Sequence, residues 1–216
     1  MNNSIKNISG IYLVLNPSMP MKELISKLQL AMEGGVSLVQ IWNNWPKQFK
    51  KEDKLKFISA IYEVINKYRV PILANNDWEL LEDEKLDGIH FDFIPHNFDE
   101  IKKSASRELI YGITCSNDLA RVAWAERNKI DYISFCTMFP STSVKNCEIV
   151  TQETIIKARK VTEIPLFLSG GITLDNMKSF KALNFQGVAI ISGILNADCP
   201  EKATKEYYNE LYKIIR

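Results

Sequence analysis

Short runs of apolar and β-branched residues alternate along this chain with longer stretches whose apolar positions recur three and four apart. The first run, Ile11 to Leu15, ends at Asn16-Pro17. Pro20 then precedes a helical pattern carried by Leu24, Ile25, Leu28, Ala31 and Met32. Gly34-Gly35 closes that helix, because glycine accepts the left-handed backbone that a C-terminal cap needs. The second run is Val36 to Trp42, followed by a helix from about Glu52 to Tyr68 with Leu55, Ile58, Ile61, Tyr62 and Ile65 on one face. Pro71 introduces Ile72 to Ala74, and a short helix containing Leu80 and Leu81 leads to Gly88 to Phe91. Leu109 to Thr114 is the fifth run. A helix with Leu119, Val122, Ala123 and Ala125 separates it from Tyr132 to Thr137. Pro165 to Leu168 and Gly187 to Ile191 complete the strands, and a last helix runs from near Pro200 to the C-terminus.

Strands separated by helices run parallel, since each crossover returns the chain to the same end of the sheet. Eight such units, without a linker or a break in composition, predict an α/β architecture: a single (β/α)8 TIM barrel spanning residues 1–216. An open doubly wound sheet is the competing arrangement.

Composition narrows the classes of partner. The formal charge is +1, so no electrostatic argument points to nucleic acid or an anionic membrane. No segment approaches the roughly 20 apolar residues that span a bilayer, and the N-terminus shows no secretory pattern. Cys115, Cys136, Cys147 and Cys199 are far apart in sequence, which argues against a disulfide framework and for a cytoplasmic protein. Two histidines, His90 and His96, are too few for a site of three or more. Oligomeric state is not legible.

The most informative chemistry lies near the end of the chain. Phe167-Leu168-Ser169-Gly170-Gly171-Ile172-Thr173 and Gly187-Val188-Ala189-Ile190-Ile191-Ser192-Gly193 are apolar strands ending in small residues, each expected to open a helix. Glycine lets backbone N–H groups approach an anion, and helix starts add unpaired donors. In barrels the loops after strands seven and eight are a frequent phosphate site. Gly170, Gly171, Ile191, Ser192 and Gly193 are therefore the candidate phosphate cradle. Tight turns alone would also explain the glycines.

Taken in order, several segments resemble the thiamine-phosphate synthase family, including its thiazole tautomerase relatives. They are Ile11-Tyr12-Leu13-Val14, Gly34 to Gln40, Pro71 to Asn75, Asp87-Gly88-Ile89-His90, Asp131-Tyr132-Ile133-Ser134, Phe139 to Ser143, and the two closing turns. The resemblance implies a transferase that joins hydroxymethylpyrimidine diphosphate to thiazole phosphate and releases pyrophosphate, with Mg2+ as cofactor and a small phosphorylated heterocycle as partner. It implies Gln40 at the pyrimidine, Asn75, Thr114, Ser141 and Ser143 around the diphosphate, and Lys145 as the lysine of the loop after strand six.

The departures are specific. The family's Gln-Leu-Arg-x-Lys reads Gln40-Ile41-Trp42-Asn43-Asn44, without either cation. Asn76 stands where a magnesium-binding aspartate is expected, with Asp77 one place late. The second expected carboxylate is displaced to Asp92. Asp77 and Asp92 are the candidate metal ligands, and each is equally a candidate turn or helix cap. Ser116 occupies the position of the tautomerase relatives' histidine. An isomerase acting on a thiazole carboxylate phosphate, and a non-catalytic barrel that binds a phosphorylated ligand, therefore stand as alternatives.

Three further features have open roles. Trp42 and Trp45 either stack on a heterocycle or anchor their loop. His90 is either an acid–base group or a satisfied interior residue. Cys115 and Cys136 are expected to fill the barrel, not to react.

Overall fold

The computed structural model describes residues 8–140 and 148–216. Ser141, Ser143, Lys145 and Cys147 lie outside the described residues. Eight parallel strands close into a barrel in sequence order: β1 Gly10–Leu15, β2 Val36–Ile41, β3 Ile72–Asn75, β4 Gly88–Phe91, β5 Ile110–Thr114, β6 Tyr132–Cys136, β7 Leu166–Ser169 and β8 Gly187–Ile190. Pairing of β1 with β8, Gly10 opposite Gly187 through Leu13 opposite Ile190, excludes the open sheet. Each predicted strand is found, with no end displaced by more than one residue.

The helical ring consists of α1 Met21–Glu33, α2 Lys51–Ile65, α3 Phe98–Ser104, α4 Leu119–Asn128, α5 Gln152–Arg159, α6 Ser192–Leu195 and α7 Pro200–Ile215. After β3 and β7 the crossovers are single 3-10 turns, Trp78–Glu82 and Asn176–Phe180. The helix expected from Glu52 to Tyr68 ends at Ile65 and tightens into a 3-10 turn, Asn66–Tyr68. Among the described residues no helix is long and apolar enough to cross a membrane.

Alternation along the strands divides the core in two. Outward-facing residues such as Leu13, Val39, Ile89, Ile133, Leu168 and Val188 pack under the helices. Inward-facing residues, Tyr12, Val14, Leu38, Leu73, Ile110, Tyr132, Phe167 and Ala189, fill the barrel. Tyr12, Tyr132 and Phe167 meet edge to face at centroid distances of 5.5–5.8 Å. Gly112 makes that layer possible: a Cβ there would lie 2.1 Å from the Tyr132 ring. Cys115 packs in the outer core, not inside the barrel, and burial pushes its thiol up to about 12.

Two acidic residues of the family-like segments serve the opposite end of the barrel. Asp87 accepts from the Ile72 N–H at 2.8 Å, and Asp131 accepts from the Tyr111 N–H at 2.7 Å. They tie strand starts together and have no part in the pocket.

Candidate functional site

A cavity of about 320 Å3 opens at the C-terminal ends of the strands. Gln40, Thr114, Gly170, Gly171, Ile191, Ser192 and Gly193 line it, as does Asp92. The structure thus brings the pyrimidine candidate and the phosphate candidates to one cavity. Tyr12, Trp42, His90, Ser134, Cys136 and Tyr207 join them.

The floor is a continuous chain of hydrogen bonds. The Tyr12 hydroxyl donates to Gln40 Oε1 and lies 2.9 Å from the Tyr132 hydroxyl. Tyr132 is 2.8 Å from His90 Nδ1, His90 Nε2 is 2.8 Å from Thr114 Oγ1, and Thr114 is 3.0 Å from Ser134 Oγ. A hydroxyl has one hydrogen to give, so the polarity propagates. Tyr12 donates to Gln40 and accepts from Tyr132. Tyr132 then accepts from Nδ1–H of His90, and Nε2 accepts from Thr114. Burial holds the imidazole pKa down at about 4, against a smaller opposing pull from Asp92, so His90 is neutral at pH 7. Burial also raises both tyrosine hydroxyls. The floor is therefore polar and uncharged.

The rim is built from the two closing turns. Gly170 and Gly171 have φ of 86° and 64°, and a Cβ on Gly171 would lie 2.5 Å from the Pro140 carbonyl oxygen. Close approach of the β6 loop thus requires glycine here whatever the pocket holds. Asn176 fixes the turn: its amide donates to Gly171 O at 2.8 Å and accepts from Thr173 N–H at 2.8 Å. After β8 the chain enters α6 directly, so the Ser192 and Gly193 N–H groups have no intrahelical acceptor. The helix expected after β7 is replaced by the 3-10 turn, and α6 is only one turn long. Tyr207, from α7, donates to Ile172 O at 3.2 Å.

Other candidates are used differently. Asn75 is buried in the wall, donating to His90 O at 3.2 Å and accepting from Asn43 N–H at 3.1 Å, and it does not line the cavity. Trp42 lines the cavity, whereas Trp45 stacks on Phe49 and meets Phe57 edge on, as a loop anchor. Ser116 donates to the Cys136 carbonyl at 2.8 Å.

The two proposed metal ligands are not brought together as a pair. Asp77 pairs with Lys54 of α2 at 2.6 Å. Asp92 stands at the cavity but accepts from the Asn76 side-chain amide at 2.7 Å. Among the described residues no group of three or more His, Cys, Asp or Glu side chains is arranged to hold a metal. Asp77 and Asp92 are thus each held by a protein partner and do not form the carboxylate pair that the resemblance implies for Mg2+.

Sequence reasoning missed Tyr12, Tyr132 and Ser134 as floor residues. The available signal was period two: Tyr132, Ser134 and Cys136 share one face of β6, and Tyr12 shares a face of β1 with Val14. Asn176 and Tyr207 carried no such signal, since their roles depend on turn closure and helix docking.

Comparison with known proteins adds a separate line. A family model described as thiamine monophosphate synthase matches residues 11–194. The thiamine-phosphate synthase of Thermoplasma acidophilum is 25% identical over 213 residues, covering 97% of this chain and 96% of that one. That of Clostridium perfringens strain 13 is 28% identical over 215 residues, covering 97% and 100%. Among solved structures, a thiamine phosphate pyrophosphorylase from Pyrococcus furiosus superposes with a TM-score of 0.82 at 19% identity, covering 99% of this chain and 100% of that one, a likeness of fold.

Proposed function

The chain belongs to the thiamine monophosphate synthase family, and we propose that it is a thiamine-phosphate synthase-like transferase acting on small phosphorylated heterocycles. It joins hydroxymethylpyrimidine diphosphate to thiazole phosphate. A C–N bond forms between the pyrimidine methylene carbon and the thiazole nitrogen, and the C–O bond to the diphosphate breaks, its electron pair leaving on pyrophosphate. The observation that carries this reading is the family match across most of the chain, in a barrel whose cavity holds Gln40 at its floor and Gly171 with Ser192 at its rim.

No proton is transferred in that reaction, which suits a floor whose hydrogens are already committed. The positive charge that develops on the pyrimidine would face neutral His90, the Gln40 amide and aromatic rings, none of which repels a cation. The N–H groups and hydroxyl around Gly171, Ser192 and Gly193 would take the thiazole phosphate. The charge of the leaving group is where this chain departs from the family: Trp42 and Asn44 stand at the two expected cation positions. An isomerase needs a free base, and both ring nitrogens of His90 are occupied. The free thiols of Cys115, Cys136 and Cys199 support a cytoplasmic setting.

The test is pyrophosphate release by the purified protein given both substrates. Release that requires both supports the transferase. Tautomerisation of a thiazole carboxylate phosphate would replace it with the isomerase, and tight binding of thiazole phosphate with no turnover would replace it with a binding barrel.

A further inference from the structure

We propose that the Asn76 side-chain amide holds the place of a divalent cation on Asp92, so that this pocket works without Mg2+. The residues concerned follow two paired strands: Asn75 of β3 lies opposite His90 of β4, which sets Asn76 beside Asp92 across the mouth. Asn76 is held at φ 56° and its N–H donates to His90 O at 2.9 Å. Its side chain then makes a reciprocal pair. The amide oxygen accepts from the Asp92 N–H at 2.9 Å, and the amide nitrogen donates to Asp92 Oδ2 at 2.7 Å.

That geometry fixes the amide orientation. Only an oxygen accepts from the Asp92 N–H, so the NH2 group must face the carboxylate. A cation on that carboxylate oxygen would meet the positive edge of the amide instead of a second ligand. Arg121 also reaches Asp92, at its backbone: Nη1 donates to the Asp92 carbonyl at 3.0 Å and to Thr114 O at 2.7 Å. Its guanidinium brings a further positive charge beside the same residue. Asp77, the nearest carboxylate in sequence, is neutralised by Lys54 at 2.6 Å, with side chains only 23% and 18% exposed. Magnesium is usually held by one or two carboxylates together with substrate phosphates, and its octahedral shell tolerates little displacement. Here one carboxylate is bracketed by an amide and the other by an ammonium.

The inference rests on the family reading for the expectation of a metal, but not on turnover. Its test uses the full chain without organic substrate. Mn2+ is titrated alone and with inorganic pyrophosphate, and bound metal is followed by electron paramagnetic resonance. Wild type is expected to show no saturable site. Asn76→Asp, whose residue tolerates the same positive φ, is expected to gain one at least about tenfold tighter than the weakest binding the titration resolves, and to lose it in Asn76→Asp/Asp92→Asn. Asn76→Gly, which keeps the backbone and removes the amide, is expected to bind Mn2+ measurably better than wild type, and it stands in if the aspartate variant fails to fold. A wild-type site that Asp92→Asn abolishes would overturn the proposal. So would folded Asn76 variants that bind no better than wild type.

Discussion

His90 Nδ1 lies 2.8 Å from the Tyr132 hydroxyl, with the two rings stacked at 25°, so the barrel's one interior imidazole is held by the residue it stacks on. The contact makes His90 a donor at Nδ1 and an acceptor at Nε2, and burial keeps it neutral.

Stability should therefore fall with acid in a defined window. The folded pKa of about 4 lies below the ordinary 6.5, so the unfolded chain takes up the proton first. The contribution is complete above pH 6.5 and is lost as the pH falls towards 4. Its size is about 3 kcal/mol. Urea unfolding of wild type and His90→Asn across pH 4 to 7 measures it: the wild-type curve should be the steeper of the two over that interval. Parallel curves would mean that His90 is not buried as a neutral base.

Tyr132→Phe should be costly despite conserving shape. It leaves Nδ1–H of His90 without an acceptor and Tyr12 without its donor, both inside the barrel. An unsatisfied buried group costs about 1–3 kcal/mol. Thermal and urea unfolding should both register a loss of that order. A loss below about 0.5 kcal/mol would show that a water or a rotated Thr114 replaces the hydroxyl.

These contacts mark where sequence reasoning stops. Periodicity located the strands, because inward and outward faces alternate and glycines such as Gly35, at φ 100°, stop helices. The closing turns and Gln40 were legible because their positions at strand ends are fixed by the barrel itself. The partners of Asn75 and Asp77 were not legible, for a common reason. Their residue types suit phosphate or metal chemistry, but the neighbouring elements claim them, Asn75 by β4 and the loop after β2, Asp77 by Lys54 of α2. Partner choice among adjacent polar residues depends on side-chain direction, which a single sequence does not display.

Asp77→Asn is accordingly expected to leave ligand binding and turnover within about twofold of wild type, with a stability loss of no more than about 1 kcal/mol from the lost pair with Lys54. Calorimetric titration with thiazole phosphate, alongside unfolding, separates the two effects. A tenfold loss of turnover would return Asp77 to the site.

Gly171→Ala should damage the rim. Its φ of 64° penalises any Cβ, and that Cβ would stand 2.5 Å from Pro140 O, so the β6 and β7 loops must part. About 2 kcal/mol of stability should be lost. Binding of thiazole phosphate should weaken by at least about tenfold if the turn cradles its phosphate. Unchanged affinity in a destabilised variant would mean that the glycine serves loop packing alone.

Tyr207→Phe separates the docking of the last helix from the chemistry of the floor. The ring is buried and stays so in the variant, but the hydroxyl that donates to Ile172 O at 3.2 Å is removed. That hydroxyl also occupies the space beside Gly193, where a Cβ would come within 2.4 Å of it. It therefore touches both turns of the proposed cradle and nothing on the Gln40–His90 floor. Losing one neutral hydrogen bond should cost about 1 kcal/mol. A looser rim weakens ground-state and transition-state binding of the phosphate alike, so KM for thiazole phosphate should rise several-fold while kcat holds. A fall in kcat with KM unchanged would instead mean that α7 acts on the reacting end of the pocket.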